Sequence, residues 1–327
     1  MDFLSIFSAA LGSAIGPIAA IYALAAIGLN MHFGYTGLLN FGQVGFMLVG
    51  AYGVAVSVLT FGLPIWAGFL ASIACAIVLA LLLGIPTLRL RADYLAICTI
   101  GVAEVVRLIY RAPVARDLTG GVYGRQGFAD GFDDANPFTD GLDLGIVSFR
   151  ASDLWVMVWA WGLVGLATLV MWLLMHSPWG RVIKGIREDE EAVRSLGKNV
   201  FLYKMQSLVL GGVFGALAGA LIGLNQQTVT PDQFMPQVTF YLWAMLLLGG
   251  AGRTLGPIIG SMAMWFLLTL FDEILRGLDS IDMLPFFGGP EVGAMRHAIV
   301  GLVLVLLIIY RPQGIVGDRK EMLVNVK

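Results

Sequence analysis

Two groups of charged residues in this 327-residue chain stand where charge needs a reason. The first lies in SPWGRVIKGIREDEEAVRSLGKN, from Ser177 to Asn199, where Glu188, Asp189, Glu190 and Glu191 run consecutively between Arg187 and Arg194. Such a run can dock against a basic or mixed groove on another protein. The second is Glu104 and Arg107, spaced i,i+3 inside an apolar stretch and so on one face of a helix. Glu104 is ten residues past Tyr94, hence ~15 Å along a helix. At such depth in a bilayer each ionisable group costs ~2.5–3.5 kcal/mol on insertion scales. The pair either satisfies itself or offers two opposite charges to a zwitterionic ligand. Gln43, a polar residue in another apolar stretch, is a third candidate for a solute pathway. No enzyme chemistry accompanies these groups. Cys75 and Cys98 fall in apolar runs and read as small hydrophobes, and His32, His176 and His297 are scattered without metal-ligand spacing. GGAGRTLGP, from Gly249 to Pro257, lacks the Gly-Lys-Ser/Thr of a phosphate-binding loop. No nucleophile–base–orienter set, metal site or ATP site is expected.

The elements that position these residues follow from composition. Hydrophobic residues make up 58% of the chain and charged ones 13%, with a mean hydropathy of +0.84. Soluble domains carry about 25% charge, so the expected class is an all-α polytopic membrane protein. A net charge of −2 argues against nucleic acid as a partner. The acid in MDFLSIFSAALGSA, where a secretory signal would carry lysine or arginine, reads as mature protein. Apolar runs place spans near Ala14–Met31, Phe41–Leu59, Pro64–Leu88, Tyr94–Tyr110, Leu154–Met175, Met205–Leu224, Val238–Leu248, Leu255–Phe271 and His297–Tyr310. A crossing takes roughly 20 residues. The second segment is long enough but glycine-rich, and the seventh is short; either could be re-entrant or broken, for eight or nine spans in one permease-like domain, 1–327. With nine crossings, thirteen lysines and arginines fall on one side and six on the other. The richer side is cytoplasmic and holds the 176–204 loop and the 311–327 tail. The 111–153 loop, with seven aspartates, faces outward as a solvated connector or a docking surface. The N-terminus is outside if all nine cross and inside if the glycine-rich second segment does not.

Ser177-Pro178 is a helix start: a capping hydroxyl, then a proline at the position where no N–H is needed. Trp179, Ile183, Ile186, Val193 and Leu196 share one helical face. Glu190 interrupts that stripe, so the helix bends or restarts near Asp189. From there acids occupy the first turn, Arg194 and Lys198 come late, and Gly197 can close the end, all favourable to the helix dipole. Glu190 and Arg194 are ordered for an i,i+4 pair. A lipid-surface helix would have a basic polar face, so the acids favour a protein partner. Elsewhere, Gly211, Gly215, Gly219 and Gly223 form three overlapping GxxxG units for close helix packing, within the subunit or against another.

The chain resembles ABC-type importer permeases. Glu191, Ala192, Val193 and Gly197 match their cytoplasmic Glu-Ala-Ala…Gly loop, with valine for the second alanine. Over nearly its whole length it is similar to the LivM-type permease of branched-chain amino acid importers. The matching stretches are GLNMHFGYTGLLNFGQVGFMLVGAY, TLRLRADYLAICTIGVAEVVRLI, SPWGRVIKGIREDEEAVRSLG, LLLGGAGRTLGPIIG and YRPQGIVG. The resemblance implies about eight helices and a non-catalytic subunit in a bacterial cytoplasmic membrane. It also implies a homologous LivH-type permease, two cytoplasmic ATPases carrying ATP and Mg, and an external solute-binding protein. Arg187, Glu188, Asp189, Glu190, Glu191, Ala192 and Gly197 would then form the coupling helix that the ATPase grips. A secondary transporter driven by an ion gradient, the alternative, would want more paired acids in mid-membrane.

Overall fold

The protein is seen in a computed structural model that describes residues 3–143, 145, 147–279 and 289–317. Arg319, Lys320 and Lys327 of the expected cytoplasmic tail lie outside the described residues. Nine long or broken helices coincide with the nine apolar runs: α2 (Pro17–Leu29, extended by one π-helical stretch, Asn30–Tyr35), α3 (Gln43–Leu59), α4 (Ile65–Thr87), α5 (Ala92–Arg111), α8 (Ala151–His176), α11 (Val200–Gln226), α12 (Pro236–Gly249), α13 (Gly256–Asp279) and α14 (Gly289–Tyr310). A further helix that periodicity did not single out, α1 (Phe3–Ile15), precedes them and packs on α13, with Phe7 edge-on to Phe266. Between α5 and α8 lie two single turns, α6 (Arg116–Thr119) and α7 (Asp130–Asp133), and between α8 and α11 lie α9 (Pro178–Glu188) and α10 (Glu190–Ser195). Three short 3-10 turns (Pro113–Ala115, Gly121–Tyr123 and Pro231–Phe234) and four dipeptide strands are also present among the described residues: β1 (Arg125–Gln126) pairs antiparallel with β4 (Thr228–Val229), and β2 (Leu142–Asp143) with β3 (Ser148–Phe149).

Five of these helices are long and apolar enough to cross a bilayer: Pro17–Tyr35, Ile65–Thr87, Ala151–His176, Val200–Gln226 and Gly256–Leu278. Their arrangement is a bundle centred on α11, which packs against α2, α3 and α4. The cationic turns gather at one end of it. Arg187 of α9 meets Gly34, the carbonyl of Arg253 meets Asn30, and Arg89 and Arg91 wall a cavity with α10. The loop between α5 and α8 lies at the other end, held through β1–β4 and a bond from Gln227 to Asp133. This segregation is the asymmetry expected of cytoplasmic and external faces.

The two short segments are short helices flanked by irregular backbone. α3 has 17 residues and starts deep in the bundle, and the chain from Thr36 to Gly42 is not helical. Irregular backbone at membrane depth survives only where protein satisfies it, and here it does. Phe41 N–H donates to Thr99 Oγ1 (3.0 Å), Gly42 N–H to Asn40 Oδ1 (2.8 Å), and Trp243 Nε1 to the Asn40 carbonyl (3.2 Å). α12, with 14 residues, ends at the GGAG turn, where Gly250 has φ of +111°, a conformation open chiefly to glycine. The segment after α14 folds back over that turn, with Ile315 and Val316 donating to the carbonyls of Leu248 and Gly249 (2.8 and 3.1 Å). Asn30 stitches the two breaks together: its Nδ2 donates to the Arg253 carbonyl (2.9 Å) and its Oδ1 accepts from Gly252 N–H (2.8 Å).

Candidate functional site

The acidic segment is two helices at nearly a right reading of its sequence. Ser177 Oγ accepts from Gly180 N–H, Pro178 is the first helical residue, and α9 stops at Glu188. Asp189 is extended (φ −152°, ψ 103°) and its Oδ1 accepts from the N–H groups of Glu191 and Ala192 at 2.9 and 3.0 Å, starting α10. The acid that interrupts the apolar stripe is therefore one residue past a cap. Gly197, at φ +77°, closes α10. Ile183, Ile186 and Val193 are buried as the stripe requires, and Trp179 packs partly against the core. Leu196 is not: it is 78% exposed. The restart at Glu190 rotates the frame, and Leu196 falls at the end of α10 rather than on the inner face.

Of the seven residues in the expected coupling set, some brace the segment and others are free to meet a partner. Arg187 reaches back to the Gly34 carbonyl (2.5 Å), tying α9 to the end of α2, and packs over Gly37, whose φ is +77°. Glu190 is clamped by Arg194 (2.8 Å) on its own helix and by Lys204 of α11. Lys204 is the part of this clamp that spacing alone does not show. Asp189 is the cap. Glu188, Glu191, Ala192 and Gly197 are exposed, together with Leu196. The unit is thus a braced pair of helices presenting two acids, an alanine and a leucine outward.

Gln43 lies elsewhere, fully buried, with both polar atoms of its side chain bonded within the chain. Its Nε2 donates to the carbonyls of Gly211 (3.0 Å) and Ala25 (3.4 Å), and its Oε1 accepts from Asn40 Nδ2 (3.2 Å). The same Asn40 amide donates to His32 Nδ1 (2.9 Å), leaving His32 Nε2 to donate to the Leu208 carbonyl (3.1 Å). Gly42 N–H on Asn40 Oδ1 fixes which way that amide points, so the network has one consistent set of donors and acceptors, with His32 neutral. Spacing shows nothing of the His32 bond to Leu208 or of the Trp243 bond to the Asn40 carbonyl, because these pairs are 176 and 203 residues apart.

The glycine stripe explains how this network fits. A Cβ on Gly211 would come within 2.3 Å of His32 Nε2 and 2.4 Å of the Gly28 carbonyl. One on Gly215 would be 2.6 Å from Gln43 Nε2, and one on Gly219 1.9 Å from the Met47 carbonyl. Gly223 is looser, 3.2 Å from a Val229 methyl. All four glycines meet atoms of their own chain.

Glu104 and Arg107 do join. Arg107 Nε and Nη2 form a fork on Glu104 (2.9 and 2.6 Å), and Nη1 reaches Asp232 (2.7 Å), just before α12. Arg111 lies 3.6 Å from the other Asp232 oxygen. The Arg107 side chain is 9% exposed and those of the two acids 34%. Two acids and two bases thus neutralise each other while tying α5 to the entrance of α12. Asp232 is 125 residues from Arg107, beyond the reach of helical spacing rules. Among the described residues no group of three His, Cys, Asp or Glu side chains could hold a metal ion.

Residues 14–308 match the family described as branched-chain amino acid transport system / permease component. Over 323 residues the chain is 31% identical to the high-affinity branched-chain amino acid transport system permease protein LivM of Escherichia coli (strain K12), covering 92% of this chain and 69% of that protein. The same figures hold for LivM of Salmonella typhimurium. The probable branched-chain amino acid transport permease protein LivM of Methanocaldococcus jannaschii is 26% identical over 336 residues, covering 91% of each chain. With a multi-pass helical bundle, two short interrupted helices and a braced acidic helix pair at its cationic end, this chain belongs to the branched-chain amino acid transport permease family.

Proposed function

We propose that this chain is one permease subunit of an ATP-driven importer that passes branched-chain or related neutral amino acids across the cytoplasmic membrane. A homologous LivH-type permease completes the pathway, an external binding protein delivers the solute, and two cytoplasmic ATPases supply the work. ATP and Mg²⁺ are held by those ATPases, and this chain performs no hydrolysis. The reading is supported above all by the construction of α9 and α10. Two short helices, each capped, are fastened to α2 by Arg187 and to α11 by Lys204, while Glu188, Glu191, Ala192 and Leu196 are left outward. A segment tied to two separate helices converts a push on its exposed side into movement of both. A linker resting on lipid needs neither tie.

The test is purification from native membranes in mild detergent, with identification of the co-purifying chains. The proposal expects two copies of an ATPase and a second permease, and loss of the ATPase when Glu188 and Glu191 are both changed to lysine. Those two are the acids to reverse, because Glu190 also braces α10. Uphill solute uptake by this chain alone, without nucleotide, would favour the ion-gradient transporter instead.

A further inference from the structure

Arg89 and Arg91, the two arginines of TLRLRADY, have no task in the transport function proposed above. They stand in the short connection between α4 and α5 and wall a cavity of about 880 Å³ with α10 and the start of α11. Its wall carries five cations, Arg89, Arg91, Arg194, Lys198 and Lys204, against two acids, Glu190 and Glu191. Glu190 is already held by Arg194 and Lys204. Arg89, Arg91 and Lys198 are exposed, and their side chains make no ion pair or hydrogen bond among the described residues. Arg89 only lies over the Phe201 ring, 5.6 Å from its centroid. Three accessible cations thus face one unpaired acid, Glu191, and the wall as a whole is strongly positive.

The surroundings say what kind of anion this is. α4 has just ended here, and α5 and α11 have just begun, so the cavity lies at the level of the bilayer surface on the cationic side. Large apolar side chains flank it in the open: Leu82 and Ile85 at the end of α4, Tyr94 and Ile97 at the start of α5, and Leu202 on α11. Leu90 belongs to both sets, exposed and part of the wall. A cationic cavity with an exposed apolar skirt matches a molecule that is anionic at one end and hydrocarbon at the other. A groove for an acidic protein segment, or a site for a soluble anion, has no use for the skirt. Basic pockets between helices on the cytoplasmic side are where anionic lipid headgroups bind.

We propose that this cavity holds the headgroup phosphate of an anionic phospholipid of the cytoplasmic leaflet. The phosphate oxygens accept from Arg89, Arg91 and Lys198, charge-assisted bonds for which guanidinium and ammonium are both suited. The acyl chains run along the exposed apolar sides of α4 and α5. A lipid with a choline headgroup brings an ammonium that a wall of this sign repels. Arg89 and Arg91 belong to the α4–α5 connection and Lys198 to the α10–α11 connection, so the bound headgroup joins the two. It adds a tie from the acidic helix pair to α4 and α5, beside those that Arg187 and Lys204 make to α2 and α11.

The test titrates the full-length chain, purified in mild detergent, with dioleoylphosphatidylglycerol or dioleoylphosphatidylcholine and counts bound lipid by native mass spectrometry. Each basic residue near a membrane surface strengthens anionic lipid binding about fivefold, so Arg91→Gln combined with Lys198→Gln should weaken phosphatidylglycerol binding about 25-fold. Arg181→Gln combined with Lys184→Gln removes the same charge from α9, outside the cavity, and should weaken it less than about twofold. Arg91→Lys with Lys198→Arg keeps the charge and should bind as the wild type does, which guards against a fold defect in the glutamine pair. Equal affinity of the wild type for the two lipids overturns the site. Equal losses in the two glutamine pairs overturn it in favour of a diffuse surface field, and loss in the charge-keeping pair overturns the phosphate contact. Displacement of the lipid by inorganic phosphate overturns it in favour of a soluble anion. The measurement involves no transport, so its failure leaves the importer reading standing, and the reverse holds as well.

Discussion

Asp189→Ala, set against Asp189→Asn, separates the rigidity of the acidic helices from their charge. α10 has six residues, far below the ~12–15 at which an isolated helix holds in water, so its helicity depends on its ends and its ties. Asp189 satisfies two of its first N–H groups. Replacing such a cap by alanine costs ~0.5–2 kcal/mol, typically ~1. At RT of ~0.59 kcal/mol, 1 kcal/mol raises the ratio of frayed to formed α10 by about fivefold. The remaining ties, Glu190 to Lys204 and buried Val193, keep the segment docked, so the loss stays local. Hydrogen exchange followed by mass spectrometry on the assembled importer reads it directly. Amides of 190–197 should exchange about fivefold faster, with those of 205–226 unchanged, and leucine uptake per ATP hydrolysed should fall. Asp189→Asn, which keeps an accepting oxygen at the cap, should restore both. Faster exchange in 190–197 with undiminished uptake per ATP would refute the claim that a stiff α10 transmits force.

Other outcomes follow from the same geometry. Leu196→Glu, at a side chain 78% exposed, should leave the unfolding temperature of the isolated permease unchanged and weaken its co-purification with the ATPase. Within the glycine stripe, Gly211→Ala and Gly219→Ala drive a methyl into backbone or His32 at 1.9–2.4 Å and should destabilise by ~1–3 kcal/mol. Gly223→Ala, facing a valine methyl at 3.2 Å, should cost little, a contrast visible in detergent melting curves. Arg107→Met strips Glu104 of its counter-ion, leaves Asp232 with Arg111 alone, and should lower stability more than Glu104→Gln, which leaves Arg107 on Asp232. Glu104→Gln should reduce uptake more than assembly, and a defect confined to assembly would make the ion cluster purely structural.

Local pattern fixed the helices and the acidic segment because both are short-range. Apolar runs longer than a helix can hide in water must enter lipid, and nine of them reappear as helices. Ser177-Pro178, Asp189 and Gly197 mark their boundaries through hydrogen bonds spanning two or three residues, so the caps are visible before any fold is known. Spacing also put Glu104 beside Arg107. It failed at Leu196, because one stripe was carried across a break that resets the helical phase.

What only tertiary structure decided is where each polar group spends its bonds. Gln43 could line a pathway or be sealed in the core, and carbonyls of α2 and α11 from distant parts of the chain decide for the core. Arg107 finds Asp232, Glu190 finds Lys204, and Trp265 Nε1 has no hydrogen-bond partner among the described residues, none of which spacing encodes. The physical reason is range. A helix is chosen by neighbours within one or two turns, while the saturation of a buried donor depends on which helix packs against it.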